Sequence, residues 1–455
     1  MKKIKHLLVA LITLVAATNV YAAEVDSAAA LLTCTAAEGM CTLSTDVVLT
    51  SSLEIKENII LDLNGHAITP ADTFAGDSLI IVLHGGTLTV QDSVGTGKIS
   101  TGDANPNVFV GVKMTKAGCD YSNKASLILT SGTIEGLTFG ISGNGNADRG
   151  NTSIIISGGK VAALEATGTA IYHPQNGTLK IAGGTIVGGT GIEMRSGELE
   201  VTGGTITGTA VPSSSNANSN GTTTLGAGIA IAQHTTKQNI SVSISGGTVE
   251  GYKALYQTNP QSNDSTALDK VTLEVTGGTF EVINGGDAAI FSENYEGFVS
   301  GGEFSDDVAE KYLASSELVS KEQEDGSYIV GIEHTITVAT VKNGKVVVSQ
   351  EKAIAGETIK ITSTPDEGYK VGEVKVALAD ETAAGVVEGD AAGFIMPNGD
   401  VVVTVTFVED APIANEGGES IKNPDTSDSL MVYVTLATIS IAGLSVVAVN
   451  KKRFN

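Results

Sequence analysis

The chain has 455 residues, 41% of them hydrophobic, which excludes a disordered chain and leaves room for a sizeable core. Aromatic residues make up only 4%, with no tryptophan, so that core must be built from Val, Ile and Leu. A formal charge of −24 argues against a nucleic-acid binder, which needs a basic face against phosphates, and suits a solvated, self-repelling extracellular surface.

Lys2, Lys3 and Lys5 precede an apolar run from Leu7 to Ala17, and Val20 and Ala22 occupy the −3 and −1 places of a small-residue cleavage site. This predicts a secretory signal within residues 1–23; the run is too short to span a bilayer comfortably. Cys34 and Cys41 flank the short loop from Thr35 to Met40 and form a candidate disulfide, with Cys119 left over. Bridged, that ring would contribute about 2 kcal/mol through loop entropy. Three ordinary small apolar residues is the other reading, and both stay open. The cysteine spacing does not resemble a CxxC zinc site.

From Leu53 the pattern is strand grammar. Leu53 and Ile55 alternate, then Ile59, Leu61 and Leu63 close on the Asn64-Gly65 turn. A phrase then recurs: apolar, small, Gly-Gly, usually Thr, apolar. It runs Ile156 to Val161, Ile181 to Ile186, Val201 to Ile206, Ile244 to Val249, Val275 to Phe280 and Val299 to Phe304. Each unit also carries a small residue followed by Ile or Leu, as in Ala170-Ile171, Gly191-Ile192, Gly228-Ile229, Ala254-Leu255 and Ala289-Ile290.

A unit of about 20 to 30 residues places about five apolar side chains inward, at about 1.5–3 kcal/mol each. Ordering its backbone costs about 1–2 kcal/mol per residue. One unit alone therefore loses, and stability requires stacking. Short strands with no helix between them predict a right-handed parallel β-helix over residues 24–332, with glycines at the corners and β-branched residues in the inner columns. Hairpin spacing, which a barrel or sandwich would need, is absent from the repeat. The stretches Val211 to Thr223 and Gln257 to Thr266 read as loops inserted into coils. Asp306 to Val319, with Val308, Tyr312 and Leu313, predicts a short amphipathic helix capping the solenoid. The repeat region resembles parallel β-helices of the pectin-lyase type, a fold that includes polysaccharide lyases and hydrolases.

Residues 333–408 form a separate β module. Its strands lie near Thr335 to Thr340, Val346 to Val348, Ile359 to Ile361, Val371 to Val376 and Val401 to Phe407, with Asn343-Gly344 predicted as a hairpin turn. The segments Pro365-Asp366-Glu367-Gly368-Tyr369-Lys370-Val371 and Phe394-Ile395-Met396-Pro397-Asn398-Gly399-Asp400-Val401 resemble divergent internalin-type B repeats of bacterial surface proteins. That resemblance implies a stalk or spacer. Residues 409–428 read as a polar linker.

The run from Leu430 to Val449 reaches about 30 Å as a helix, one hydrocarbon thickness. It predicts a transmembrane helix over 429–450, and the basic tail 451–455 keeps the C-terminus cytoplasmic. Just before it stand Asn423, Pro424, Asp425, Thr426 and Ser427. Motif, span and basic tail together resemble the LPXTG-type cell-wall sorting signal of Gram-positive surface proteins, with Asn423 in place of the usual Leu and Ser427 in place of Gly. The resemblance implies cutting by a sortase after Thr426 and linkage to peptidoglycan. A plain membrane anchor is the alternative.

Chemistry is sparse. Glu193, Glu198 and Glu200 lie near one another, but Glu198 and Glu200 read as the solvated face opposite Leu199 and Val201. Tyr172-His173 and Gln233-His234 follow the Ile of two coils, so a ladder of His173 and His234 is one reading and surface coincidence the other. Tyr172, His173, His234, Tyr256 and Tyr295 make up the candidate ligand face, with Tyr252 and Phe291 as further aromatic platforms. No catalytic residue, metal ligand or cofactor is expected. The function expected is a surface-anchored adhesin or glycan binder facing an extracellular glycan or host surface. A β-helix lyase or hydrolase and a structural spacer are the alternatives.

If sorting operates, Thr426→Ala should leave the protein detergent-extractable where the parent stays wall-linked. Unchanged cell-wall fractionation would reject that reading.

Overall fold

Three columns of apolar side chains organise the computed structural model, which describes residues 22–37, 39–215, 224–380, 389–390 and 393–410. The signal segment up to residue 21, the motif at Asn423 to Ser427 and the apolar run 429–450 lie outside the described residues. Among the described residues no helix is long and apolar enough to cross a membrane.

One column pairs Leu53, Ile80, Val112, Ile141, Ile171, Ile192, Ile229, Leu255 and Ile290 in register. A second runs Ile59, Leu88, Leu127, Ile154, Leu179, Leu199, Val242 and Leu273. The third starts at Val47 and then passes through the second residue after each Gly-Gly pair, Ile186, Ile206 and Val249, to Phe280 and Phe304. Every pairing in these columns is parallel. The chain is therefore all-β with a long, mostly parallel sheet, consistent with a β-helix. Along the second column the alternate residues face water, as Glu198 and Glu200 do beside buried Leu199 and Val201, whereas strands Thr169–His173, Thr190–Met194 and Ala227–Ile231 of the first column are buried on both faces.

The corners explain the glycine pairs. A Cβ on Gly183 would lie 2.5 Å from the Ser157 carbonyl oxygen of the preceding coil. Gly184 has φ +81, where L side chains are strained, and its Cβ would stand 2.8 Å from the Gly158 and Gly159 carbonyl oxygens. The same left-handed conformation recurs at Gly204 and Gly247.

Buried carboxylates tie neighbouring corners at the other glycine turns. Asp62 Oδ1 accepts from the Asn64 and Ser93 amides at 2.9 and 3.0 Å. Burial alone would raise its pKa, but these bonds and one from the Gln91 amide hold the carboxyl below its ordinary range. Asp92 accepts from the Gly65 and Gly97 amides at 2.7 and 2.6 Å.

Both ends of the stack differ from the strand pattern. At the first, helix Ala28–Thr35, unforeseen in the sequence reading, starts at Ser27, whose Oγ accepts from the Ala30 amide. It packs on the first strands and buries Leu31. A disulfide joins Cys34 in its last turn to Cys41 in strand Gly39–Leu43, and Cys119 is a free, half-buried thiol. At the other end the predicted cap helix is absent; Glu310–Tyr312 forms only a single 3-10 turn. The backbone there is used differently: the Val299 amide donates to Tyr312 O and the Ala314 amide to Val299 O, so the segment pairs with the last coil instead of with itself. Val308 and Tyr312 are buried beneath that coil.

Strand Tyr328–Val338 ends the parallel run. Its first half pairs antiparallel with Gly302–Phe304 and Leu318–Glu322. Its second half enters a module with its own core, centred on Ile336, Ile359, Phe394, Val401, Val403 and Phe407. Asn343 adopts φ +64, but Asn343-Gly344 joins no hairpin. Tyr328–Val338 pairs instead with Lys352–Ile354 and Val401–Glu409, and Gly344–Val348 with Thr358–Pro365. Residues 336–338, which a hairpin would pair, are taken by 401–403.

Gly184→Ala should destabilise the stack by about 1–2 kcal/mol for the left-handed backbone alone, and by more through the two carbonyl contacts. The urea midpoint of the variant checks this; an unchanged midpoint would contradict the corner assignment.

Candidate functional site

Two neighbouring strands, Lys253–Gln257 and Ala288–Ser292, carry a pair of aromatic residues on the outside of the stack. Their inward residues, Leu255 and Ile290, belong to the first apolar column, so alternation turns Tyr256 and Phe291 outward. Register places Tyr256 opposite Phe291, and their rings meet edge to face with centroids 5.6 Å apart. Phe291 is 37% exposed and Tyr256 half-buried.

Lys253 lies beneath this pair. Its Nζ sits 5.6, 5.7 and 5.5 Å from the ring centroids of Tyr252, Tyr256 and Phe291. The Lys253 side chain is largely buried and ion-paired to Asp287, whose own side chain is exposed. Asp306 stands at the same end of strand Ala288–Ser292, where it accepts from the Ala289 amide at 2.9 Å. Burial raises its carboxyl pKa against the bond from Ala289, and repulsion from Asp307 and Asp287 adds to the rise.

The opposite end is polar and fully knitted. Glu293 Oε2 accepts from Thr258 Oγ1 at 2.9 Å and the Asn259 amide at 2.8 Å. Gln257 Oε1 accepts from Ser292 Oγ and the Asn294 amide at 2.9 and 3.0 Å. The segment after it, predicted as a loop, closes with the one-turn helix Ser265–Leu268, capped by Asp264. The patch therefore offers apolar ring surface between carboxylates, on a backbone fixed by the coils either side.

The other residues of the predicted ligand face go elsewhere. Tyr172 is buried and packs on Phe139 at 5.3 Å; burial pushes its hydroxyl up to about 12. His173 is wholly inside, so neither residue belongs to an exposed face. The histidine ladder also fails on register: His173 pairs with Met194 and Met194 with Ile231, while His234 lies three residues further on. His234 instead closes a local turn, its Nδ1 accepting from the Thr236 amide. Tyr295 is half-buried and donates from its hydroxyl to Leu268 O at 2.8 Å, pinning the segment beside the patch. Of the five predicted residues, only Tyr256 contributes a ring to the patch.

The sequence reading missed Lys253 and Asp287, and the buried pair Glu193–Arg195, whose closest atoms are 4.0 Å apart. Lys253 stands one residue before Ala254-Leu255 and Asp287 two before Ala289-Ile290, so in register Lys253 lies opposite Ala288 and the pair is offset by one position. Among the described residues no cluster of three His, Cys, Asp or Glu side chains could hold a metal ion.

Residues 334–411 match the family described as the divergent InlB B-repeat domain. No curated protein and no solved structure matches the chain.

His173 yields a pH prediction. Nδ1 lies 3.0 Å from Ser196 O, and burial holds the ring neutral, lowering its pKa to about 4. The unfolded chain takes up that proton near 6.5, so the contribution is present above pH 6.5 and is lost as pH falls toward 4. Stability should drop by about 3 kcal/mol across that window, from the size of the shift. His173→Met should flatten that part of the profile in urea unfolding at a series of pH values; an unaltered slope would place the titration elsewhere.

Proposed function

We propose that this is a bacterial surface protein that holds a right-handed β-helix outward on a B-repeat module and binds an extracellular glycan without catalysis. The family match at residues 334–411 supports an extracellular, cell-surface setting. The signal-like N-terminus and the sorting-like segment at Asn423 to Ser427 support delivery to the envelope, with a sortase and peptidoglycan as partners. Right-handed coiling is the default for parallel crossovers.

The observation that carries the binding reading is the outward Tyr256–Phe291 pair, flanked at both ends by polar groups. Sugar rings present a flat C–H face and a rim of hydroxyls. An exposed ring pair takes the first, and side chains such as Asp287 and Asn259 take the second. The backbone beneath is shared with neighbouring coils, so the platform is formed before ligand arrives.

The whole chain, applied to a panel of plant, host and microbial glycans, should be retained without turnover. The double variant Tyr256→Ala, Phe291→Ala should bind about tenfold more weakly or worse, equivalent to about 1.4 kcal/mol. Release of reducing ends or unsaturated sugars would instead favour the lyase or hydrolase reading. Retention on no glycan would leave the spacer reading.

A further inference from the structure

We infer that the Tyr256–Phe291 patch selects a positively charged glycan, a polymer of 2-amino sugars with free amines, over uronic or sulfated polymers; this rests on the reading that the patch binds glycan. Three observations point the same way. First, the rings already face a cation: the Lys253 ammonium lies 5.5 to 5.7 Å from three centroids. Negative ring faces attract ammonium groups, and Phe291, 37% exposed, keeps ring surface open to a second cation.

Second, Lys253 has no charge to spare. It is ion-paired to Asp287 and its side chain is only 11% exposed, so an incoming anion can neither reach it nor find it unneutralised. Third, the rim is acidic. With Asp287 paired to Lys253, Asp306 and the exposed Asp307 supply the charge at one end of strand Ala288–Ser292, and Glu293 at the other. Asp287 and Asp307 are close enough to raise the Asp306 carboxyl. A carboxylate or sulfate on a sugar stacked over Phe291 would meet like charge from both ends; an ammonium would meet opposite charge. The overall charge of −24 biases approach in the same sense.

Binding of the whole chain to glucosamine hexamers, to the same hexamers after N-acetylation and to galacturonate hexamers tests this, with oligolysine as a peptide control. The amine hexamer should bind at least about tenfold tighter than its N-acetylated form, weakening as salt is raised, and the galacturonate hexamer should not bind. Asp287→Asn should weaken amine binding and relax the exclusion of galacturonate. Asp307→Asn, a change on an exposed side chain, should weaken amine binding while leaving the fold intact. Phe291→Ala should weaken every sugar. Equal or tighter binding of the N-acetylated or galacturonate hexamer would overturn the charge preference and leave the glycan reading standing. Oligolysine binding as tightly, and indifferent to Phe291→Ala, would reduce the patch to an acidic surface and overturn the inference. Failure of every sugar to bind would reject the glycan reading itself.

Discussion

Everything up to Phe304 depends on one coil hydrogen-bonding in parallel to the next. The backbone of a single coil has no partners of its own, and its handful of buried Ile, Leu and Val residues cannot offset the cost of ordering it. Stacking supplies both at once. The nine-residue column from Leu53 to Ile290 exists because each strand takes its register from the one before. A one-residue slip would turn a whole strand inside out, so the alternation of apolar and polar residues enforces that register.

The same constraint decides where polar chemistry can live. Corners must let carbonyl oxygens of adjacent coils pass closely, which excludes a Cβ at Gly183 and Gly184. Outward positions become rows of side chains at strand spacing, about 4.8 Å apart. On most rows these are Ser, Thr, Glu and Lys. On the row containing Tyr256 and Phe291 two aromatic residues from successive coils fall side by side and form a surface that neither coil has alone. A stack also exposes its ends, and the two ends are closed differently. Helix Ala28–Thr35, fastened by Cys34–Cys41, covers the first; antiparallel pairing through Tyr328–Val338 finishes the second and carries the chain into the module.

Much of this was legible beforehand. The Gly-Gly corners, the inner Ile column and the solvated face of Glu198 and Glu200 followed from periodicity, because each depends on residues close in sequence or repeated at a fixed interval. The cap segment misled: Val308 and Tyr312 have helical spacing, but the edge of the last coil offered backbone partners that one helical turn could not match. Asn343-Gly344 has hairpin chemistry, yet strand partners from 350 to 409 were available to the strand before it.

By itself the sequence determined that the chain would be all-β, stacked from repeats with glycine corners, and followed by a B-repeat-like module, since local pattern and interval suffice for those conclusions. Only the tertiary structure decided which aromatics are surface and which are core. Tyr172 and Tyr256 follow the same Ile or Leu step in their coils, yet one is buried against Phe139 and the other faces outward beside Phe291. Exposure of a side chain is a property of what the neighbouring coils and loops lay over it, and that is settled by register across the stack. Lys253 and Asp287 meet for the same reason: 34 residues apart in the chain, they are one strand apart in space.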